Sequence, residues 1–191
     1  MFQKITHPKL PKEIIAAYQA VAGANLQGQK QILENVSGGT LIKELAGQYL
    51  GINNLNITAK KYEKPRAFKE DEEISVSFSH TQSAIAAAIS EKYLVGCDME
   101  AVSRRVHDRL GQRMKNRNEA NSLYENYSLI RLWTMKEAAL KMIGTGLRKP
   151  MNCVCITENS EALFFVDFDN GKRAKICSFQ YQDYWITICY Q

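Results

Sequence analysis

The chain has 191 residues, of which 45% are hydrophobic and 24% charged, and its formal net charge is +5 at pH 7. This length can bury a substantial core in one domain or two small ones, while no apolar stretch approaches the roughly 20 residues that a membrane-spanning helix requires. We therefore expect a globular protein that does not span a membrane, and its basic character favours acidic partners such as nucleotides, nucleic acid or acidic proteins.

The amino terminus and the cysteines indicate the compartment in which the chain works. Residues 1–8 lack the apolar core of a secretory signal, so we expect a cytoplasmic protein. The chain has five cysteines, an odd number, and no two of them form the C-x-x-C spacing of a zinc or thioredoxin-like site. Most lie in apolar, strand-like runs, where a free cysteine behaves as a small hydrophobic residue. We predict that all five are reduced and structural.

The first 50 residues have patterns typical of helices. Pro11 opens a segment whose apolar residues recur at helical spacing over residues 14–21. The glycines at 38–39 are expected to break the chain. A second amphipathic helix is predicted over residues 41–50, with Gly51 placed to cap its end.

Strands are predicted in the middle of the chain. Residues 74–78 alternate between apolar and polar, which indicates a strand with one buried face. Residues 84–89 favour helix by propensity, but only a short stretch separates them from the next strand-like run, and Glu91-Lys92 is typical of a hairpin turn. We therefore predict a strand over residues 84–89 as well.

After Pro150 the chain becomes rich in strand-forming residues. Turn residues at Asn159-Ser160, Asn170-Gly171 and Gln182-Asp183 separate four apolar runs. The runs are residues 153–156, 162–166, 175–179 and 184–188. This order predicts an antiparallel meander, and with the preceding helices and strands it indicates an α+β protein.

Two short segments carry the side chains of a cation and phosphate site. Asp98 and Glu100 follow an apolar run at residues 93–97, and on a strand they point to one face with Cα atoms roughly 6.6 Å apart. Glu137 and Lys141 stand four residues apart on a predicted helix, so they also share a face. Mg²⁺ is usually held by one or two carboxylates and by substrate phosphates, and a lysine can neutralise a departing phosphate. Each segment alone is more often a solvated strand end or a surface ion pair.

Together, the two segments resemble the hallmark motifs of the phosphopantetheinyl transferase family. The chain has GCDME at residues 96–100 and WTMKEAALK at residues 133–141, where the family has Gly-x-Asp-x-Glu and Trp-Thr-x-Lys-Glu-x-x-x-Lys. Upstream, Lys64-Pro65 and then Ser79-His80 are similar to motifs of the family's larger, surfactin-synthetase-activating type. With GTGL following the helix, the resemblance runs from about residue 41 to residue 150.

The resemblance implies a fold of two similar α/β halves related by a pseudo-twofold axis, with antiparallel sheets packed against helices and the active site in the cleft between the halves. We expect an amino-terminal half over residues 1–91 with coenzyme A contacts, and a carboxyl-terminal half over residues 92–191 with the metal and catalytic motifs. The opening strand of the first half is reduced in this chain to something as short as residues 2–5, so this half can be incomplete. Two halves in one chain make a monomer sufficient, and we expect a monomer.

The resemblance also implies a reaction. Enzymes of this family are Mg²⁺-dependent and move the 4′-phosphopantetheine arm of coenzyme A to a serine of an apo acyl or peptidyl carrier protein, releasing adenosine 3′,5′-bisphosphate. Their carriers serve fatty acid, polyketide or nonribosomal peptide synthesis. By resemblance, Asp98, Glu100 and Glu137 would bind Mg²⁺, with Mn²⁺ as an alternative, and Lys141 would contact the pyrophosphate. Glu137 or a metal-bound water would accept the serine proton, and these alternatives stay open.

Coenzyme A contacts are implied at further positions. Lys64, Ser79 and His80 match family positions that contact its phosphates, and Pro65 with Lys64 would border the adenosine. Lys43 stands where the family commonly has an arginine. The remaining basic contacts of the family have no clear counterpart in this chain.

The basic segment from Arg104 to Arg117 has two interpretations. Val106, Leu110 and Met114 fall at i, i+4 and i+8, flanked by six basic side chains. Such a stripe packs on the core of its own protein, or it forms a docking surface for an acidic helix of the carrier protein, with the arginines steering the encounter. The two interpretations are compatible.

Two other classes of function remain open. Clustered carboxylates with a lysine also serve metal-dependent phosphohydrolases and nucleases. A nucleic-acid binder would use the basic segment, but few aromatic residues interleave it and no recognised RNA or DNA motif is present. We therefore expect coenzyme A and an acidic carrier protein as partners, and neither nucleic acid nor a membrane.

Overall fold

The computed structural model describes residues 1–21, 30–59, 63–107 and 109–191. Within these ranges the strands form two antiparallel sheets flanked by helices, so the predicted α+β class is confirmed. No helix in the described ranges is long and apolar enough to cross a membrane. All five cysteines lie in the described ranges and are free, as their number and spacing predict.

The first sheet has six described strands, which come from residues 3–90. In chain order they are β1 (Gln3–Ile5), β2 (Ile15–Ala20), β3 (Leu55–Thr58), β4 (Arg66–Lys69), β5 (Glu72–His80) and β6 (Ala84–Ser90). Their order across the sheet is β1-β2-β6-β5-β4-β3. Helix α1 (Lys30–Leu45) covers one face, where Leu41, Ile42 and Leu45 pack against apolar side chains of β2, β5 and β6.

The second sheet has five described strands, which come from residues 95–190. They are β7 (Val95–Ala101), β8 (Val154–Ser160), β9 (Leu163–Phe168), β10 (Arg173–Tyr181) and β11 (Tyr184–Tyr190), in the order β7-β11-β10-β9-β8. Between β7 and β8 lie the short helices α2 (Arg109–Met114) and α3 (Asn121–Asn126), the longer α4 (Leu129–Met142), and 3₁₀ turns at Gly146–Arg148 and Met151–Cys153. Helix α4 covers one face of the sheet with Leu132, Met135 and Leu140.

The two sheets pack against each other through a shared hydrophobic core. Tyr18 and Ala86 of the first sheet lie in the same cluster of buried side chains as Cys97 and Ile188 of the second. The layers therefore follow the order α1, first sheet, second sheet, α4. Strand β5 also runs beside β7, the edge strand of the second sheet, and this junction lies next to the predicted site.

The helix predicted over residues 14–21 is wrong, because this segment forms β2. Ile15 and Ala17 face the core under α1, while Ala16 and Tyr18 face the core between the sheets. A strand that is buried on both faces is a continuous apolar run, which periodicity cannot distinguish from a buried helix. Pairing with β1 and β6 decides the structure.

The break predicted at the two glycines of residues 38–39 is also wrong, because α1 runs through both. A Cβ at Gly38 would lie 2.4 Å from the ring of Phe78, so the glycine allows the helix to lie close to β5. The helix predicted over residues 41–50 is confirmed as the end of α1 and a following π-helical turn, Ala46–Leu50. Gly51 ends it with φ of 69°, the left-handed conformation typical of a glycine cap.

The other predicted strands are confirmed as β5, β6 and the meander from β8 to β11. Two turns differ from the prediction. Strand β8 extends through Ser160, so its turn lies at residues 161–162. Glu91-Lys92 does not form a hairpin, because β6 and β7 belong to different sheets and the turn carries the chain from one sheet to the other. The predicted boundary near residue 91, between a half that contacts coenzyme A and a half that carries the metal and catalytic motifs, stays a prediction.

Candidate active site

Strand β7 and helix α4 meet at Gly96, and this contact places the acidic side chains. A Cβ at Gly96 would lie 2.0 Å from the carbonyl oxygen of Ala138 and 2.5 Å from the amide nitrogen of Met142. Only a hydrogen fits there, so glycine lets the strand lie against the helix backbone. Asp98 and Glu100 follow on the same face, since alternate residues of a strand point to one side. Both side chains therefore face α4.

Asp98 is the centre of this site and is only 2% exposed. Its Oδ1 accepts a hydrogen bond from the Nζ of Lys141 at 2.7 Å and another from the Oγ of Ser79 at 2.8 Å. Its Oδ2 is buried and has no hydrogen-bond partner among the described residues. A buried carboxylate oxygen without a partner is costly unless a ligand or cation binds it. Oδ2 is thus the oxygen available to a ligand when Glu137 is ionised, since the carboxyl group of Glu137 hydrogen-bonds Asp98 when protonated.

Glu137 and Lys141 share one face of α4, as their spacing predicts. The Oε2 of Glu137 and the Nζ of Lys141 lie 3.9 Å apart. Burial raises the pKa of Glu137 to about 8, with the negative charge of Asp98 adding to the shift and Lys141 opposing it. Burial acts to lower the pKa of Lys141, but the charges of Asp98 and Glu137 outweigh it and raise that pKa overall. The site thus gathers two carboxylates around one ammonium group.

Glu100, the third predicted metal ligand, is paired with the guanidinium group of Arg104. Over residues 1–21, 30–59, 63–107 and 109–191, no three histidine, cysteine, aspartate or glutamate side chains form a group that could hold a metal ion. The predicted set of Asp98, Glu100 and Glu137 is therefore not assembled as a three-ligand centre. Lys141 and Arg104 supply the positive charges beside Asp98 and Glu100 instead.

Strand β5 lines the free edge of β7 with a serine row, Ser75, Ser77 and Ser79. The hydroxyls of Ser75 and Ser77 accept hydrogen bonds from the backbone amides of Val95 and Cys97 at 2.9 and 2.8 Å. Ser79 follows on the same side of β5, since alternate residues share a face, and donates to the carboxylate described above. The first sheet thus satisfies the edge of β7 and fixes its aspartate. The alternation of residues 74–78 predicts a polar face but not that this face is buried.

Lys64 lies beside the site but is directed at protein atoms. Its Nζ donates to the carbonyl oxygens of Val95 at 2.7 Å and Met142 at 3.1 Å. Burial lowers the pKa of Lys64 to about 8. Pro65 is partly buried and leads into β4. The structure therefore gives protein partners to the lysine that the resemblance predicts as a phosphate contact.

Two other predicted coenzyme A contacts, His80 and Lys43, point in other directions from the first sheet. His80 ends β5 and, as the neighbour of Ser79, faces the opposite side of the strand, where its ring lies edge-on to Phe78 with the centroids 6.2 Å apart. Lys43 is exposed on α1, which covers the other face of the first sheet. The structure thus brings Ser79 to the acidic residues, while His80 faces the opposite side of β5 and Lys43 lies on the helix that covers the first sheet.

Known proteins similar to this chain decide its family. The family model of the 4′-phosphopantetheinyl transferase superfamily matches residues 94–189, which is half of the chain. The chain belongs to the 4′-phosphopantetheinyl transferase superfamily. It is also 32% identical over 136 residues to the 4′-phosphopantetheinyl transferase gsp of Aneurinibacillus migulanus. That alignment covers 68% of this chain and 56% of the relative's length, so the chain spans little more than half of this transferase.

Membership of the 4′-phosphopantetheinyl transferase superfamily confirms the resemblance drawn from the motifs. The matched region begins one residue before β7 and ends one residue before the end of β11. It therefore contains the whole acidic site except for Ser79, which comes from the first sheet. The serine row and Lys64 lie outside the region that the superfamily match covers.

In the described part of the basic segment between the two motifs of the superfamily, α2 is the helical portion. Residue 108 lies outside the described residues. Met114 is buried under α4, whereas Val106 and Leu110 line an open pocket of about 530 Å³ together with the indole of Trp133. Packing on the core is therefore confirmed for Met114 and in part for Leu110, and the docking surface stays a prediction. Four arginines also line the pocket: Arg104, Arg105, Arg109 and Arg113.

A buried ion pair beside this segment was not predicted from the sequence. Lys136, in the superfamily's second motif, and Glu119 have no exposed side-chain surface, and their Nζ and Oε1 atoms lie 2.6 Å apart. Glu119 also accepts hydrogen bonds from the hydroxyl of Tyr124 and the amide of Ile156, and Lys136 donates to the carbonyl oxygen of Val154. The pair joins α4 to the start of β8 and to the chain before α3. The one feature of the sequence that could have indicated this ion pair is a lysine among apolar and small residues of the helix.

Proposed function

We propose that this protein moves the 4′-phosphopantetheine arm of coenzyme A to a serine hydroxyl of an apo acyl or peptidyl carrier protein, releasing adenosine 3′,5′-bisphosphate. Membership of the superfamily supports the reaction class. The observation that carries the proposal is the arrangement around Asp98. One oxygen of Asp98 accepts hydrogen bonds from Lys141 and Ser79, and its second oxygen has no hydrogen-bond partner among the described residues. Glu137 lies on the same face of the helix as Lys141.

The reaction is the attack of an alcohol on a phosphoester of a pyrophosphate, so negative charge builds on the leaving phosphate. We assign Lys141 to stabilise that charge, because its Nζ uses one donor on Asp98 and an ammonium group has three. The neighbouring carboxylates raise its pKa despite burial, which keeps the group charged at neutral pH. Lys141 is also anchored by Asp98, which orients it before the substrate arrives.

We assign Glu137 to accept the proton of the attacking serine. Without a bound cation its pKa is about 8, close to neutral pH, and a cation beside it would lower this pKa and keep the carboxylate ionised as a proton acceptor. Burial is the main cause of this pKa, so exclusion of water from the cleft supports the role. Lys141, 3.9 Å away, stabilises the ionised carboxylate before the proton is transferred.

The superfamily implies a divalent cation, and the residues present fit Mg²⁺ or Mn²⁺. The buried Oδ2 of Asp98 has no hydrogen-bond partner among the described residues, and carboxylate oxygens are the donors that Mg²⁺ prefers. Asp98 would offer this oxygen to the ion, and Glu137 and Glu100, which is paired with Arg104, would have to move toward it to complete the set. When bound, it neutralises charge on the pyrophosphate.

We further propose that the acidic carrier protein docks on the pocket of the basic segment. Val106, Leu110 and Trp133 offer an apolar surface, and the surrounding arginines offer charge that attracts an acidic helix. Charge reversal at Arg105 and Arg109 is expected to raise the KM for the carrier and to leave the KM for coenzyme A unchanged. An equal reversal at an exposed lysine remote from the pocket serves as the control. An unchanged carrier KM would leave this segment with a structural role alone.

Mass spectrometry of an apo carrier protein incubated with coenzyme A, Mg²⁺ and this chain tests the proposed reaction. A mass gain equal to the phosphopantetheine arm is expected, and its absence across several acyl and peptidyl carriers would refute the proposal. Omission of coenzyme A is the control, since the gain must then disappear. A parallel incubation with generic phosphodiesters tests the alternative class, because turnover without any carrier would favour a phosphohydrolase.

A further inference from the structure

Lys64 directs its ammonium group at three oxygens of the protein. Its Nζ donates to the carbonyl oxygen of Val95 at 2.7 Å, to that of Met142 at 3.1 Å and to the Oγ of Ser75 at 3.5 Å. An ammonium group has three N–H donors and no acceptor. Two donors are therefore used on backbone carbonyls at ordinary hydrogen-bond distances, and the third contact, at 3.5 Å, is weaker.

The two carbonyl acceptors lie where the strand and the helix of the acidic site meet. Val95 begins β7 and precedes Gly96, whose backbone lies against that of Met142. Met142 is the last residue of α4 and follows Lys141. Carbonyl groups at the end of a helix have no partner within it, and a cation there is also favoured by the helix dipole. Lys64 thus bonds to both sides of the contact between β7 and α4.

The third acceptor extends this connection to the first sheet. The Oγ of Ser75 accepts from the amide of Val95 at 2.9 Å as well as from Lys64. Strand β5 therefore holds the start of β7 through a side chain that Lys64 also contacts. All three acceptors of the lysine are neutral oxygens, and they belong to three different elements, β5, β7 and α4. The buried ammonium group thus connects these elements through hydrogen bonds to uncharged partners.

We infer that Lys64 is a positioning residue, which holds β7 against α4 and so sets Asp98 opposite Lys141. This role differs from the one that the superfamily resemblance implies for the same lysine. Only the activity readout of the test rests on the proposed function.

Lys64→Met tests the inference, because methionine keeps much of the aliphatic stem and removes every donor. We expect kcat to fall about tenfold or more, since small misplacements of reacting groups are costly, while the KM for coenzyme A stays within about twofold. The affinity for Mn²⁺ alone should fall about tenfold, as it does when supports of metal ligands are removed. Backbone amides at residues 94–98 and 140–144 should exchange their hydrogens faster. Lys172→Met, at an exposed lysine between β9 and β10, is the matched control and should change none of these values.

A phosphate contact predicts the opposite division of effects. A tenfold rise in the KM for coenzyme A with unchanged exchange at residues 94–98 would overturn the inference. If Lys64→Met does not fold, Ser75→Ala provides the same test, because it removes one acceptor and the partner of the Val95 amide while keeping the ammonium group. Because Ser75 itself holds the Val95 amide, the readout is then taken on α4: faster exchange at residues 140–144 would support positioning, and unchanged exchange there would refute it. If the wild type neither binds coenzyme A nor modifies a carrier, the proposed function fails, and hydrogen exchange still decides the role of Lys64.

Discussion

Replacing Gly96 with alanine should force β7 away from α4. The alanine Cβ would lie 2.0 Å from the carbonyl oxygen of Ala138 and 2.5 Å from the amide nitrogen of Met142, whereas ordinary contacts begin near 3.4 Å. Both atoms belong to the helix backbone and cannot rotate away. Strand and helix must therefore separate by about 1.4 Å, the difference between 3.4 and 2.0 Å.

The size of this effect follows from the buried position of the contact. Overpacking a well-packed core usually costs about 1–3 kcal/mol of unfolding free energy, and the rigid backbone opposite Gly96 places this change near the upper value. For a chain of this length, a loss of about 3 kcal/mol corresponds to a fall in Tm of roughly 6–12 °C. The same separation would lengthen the 2.7 Å bond between Asp98 and Lys141 and weaken the acidic site.

Urea and thermal unfolding of the wild type and of Gly96→Ala measure this cost. Gly39→Ala is the matched control, because a Cβ at Gly39 meets no atom within 4 Å. Gly39 lies inside α1, where alanine is favoured over glycine, so this variant should gain about 0.5–1 kcal/mol. The same chemical change is thus expected to have opposite signs at the two sites.

The reasoning would be refuted if Gly96→Ala unfolded within about 0.5 kcal/mol of the wild type, the range typical of surface substitutions. Such a result would mean that β7 and α4 do not touch through their backbones. If Gly96→Ala lost stability but kept an unchanged acidic site, Gly96 would be needed for packing but not for positioning Asp98.

Three further results are expected. Lys136→Met should cost about 3–5 kcal/mol in urea unfolding, because it leaves Glu119 buried without its cation, and adding Glu119→Gln should recover part of this loss. Asp98→Ala and Glu137→Ala should each abolish transfer in the carrier assay by removing a cation ligand, and retained activity in either would contradict that role. Between about pH 8 and pH 10.5, the unfolding free energy of the wild type should rise relative to that of Lys64→Met, by no more than about 1.4 kcal/mol per pH unit. The reason is that Lys64 has a pKa of about 8 in the folded protein and 10.5 in the unfolded chain, so in this window the unfolded chain binds more protons. A pH-independent difference in unfolding free energy would contradict this last expectation.

The sequence predicted the elements whose patterns are local. The strand that leads to Asp98 and the helix that carries Glu137 and Lys141 were both predicted, because a short apolar run next to turn residues and an i, i+4 pair are patterns of neighbouring residues. The carboxyl-terminal meander was predicted for the same reason. Residues 14–21 were not, because a strand buried on both faces loses the alternation by which a strand is identified.

Partners from distant parts of the chain could not be predicted in this way. The bond from Ser79 to Asp98 spans 19 residues, and the bond from Lys64 to Met142 spans 78. Neither the polar face of β5 nor a lysine before a proline indicates which acceptor it will meet. The close approach at Gly96 is likewise invisible until the helix is placed against the strand.

By itself, the sequence determined the family, the α+β class and the set of acidic and basic residues available for chemistry, because the motif residues and the local spacing are written directly in it. Only the tertiary structure decided what these residues contact. Packing of the first sheet against β7 turned Ser79 and Lys64 toward protein atoms, and burial left one oxygen of Asp98 without a partner among the described residues. Hydrogen-bond donors are satisfied by whatever acceptor the fold brings within reach, and that choice depends on the assembly of layers rather than on the order of residues.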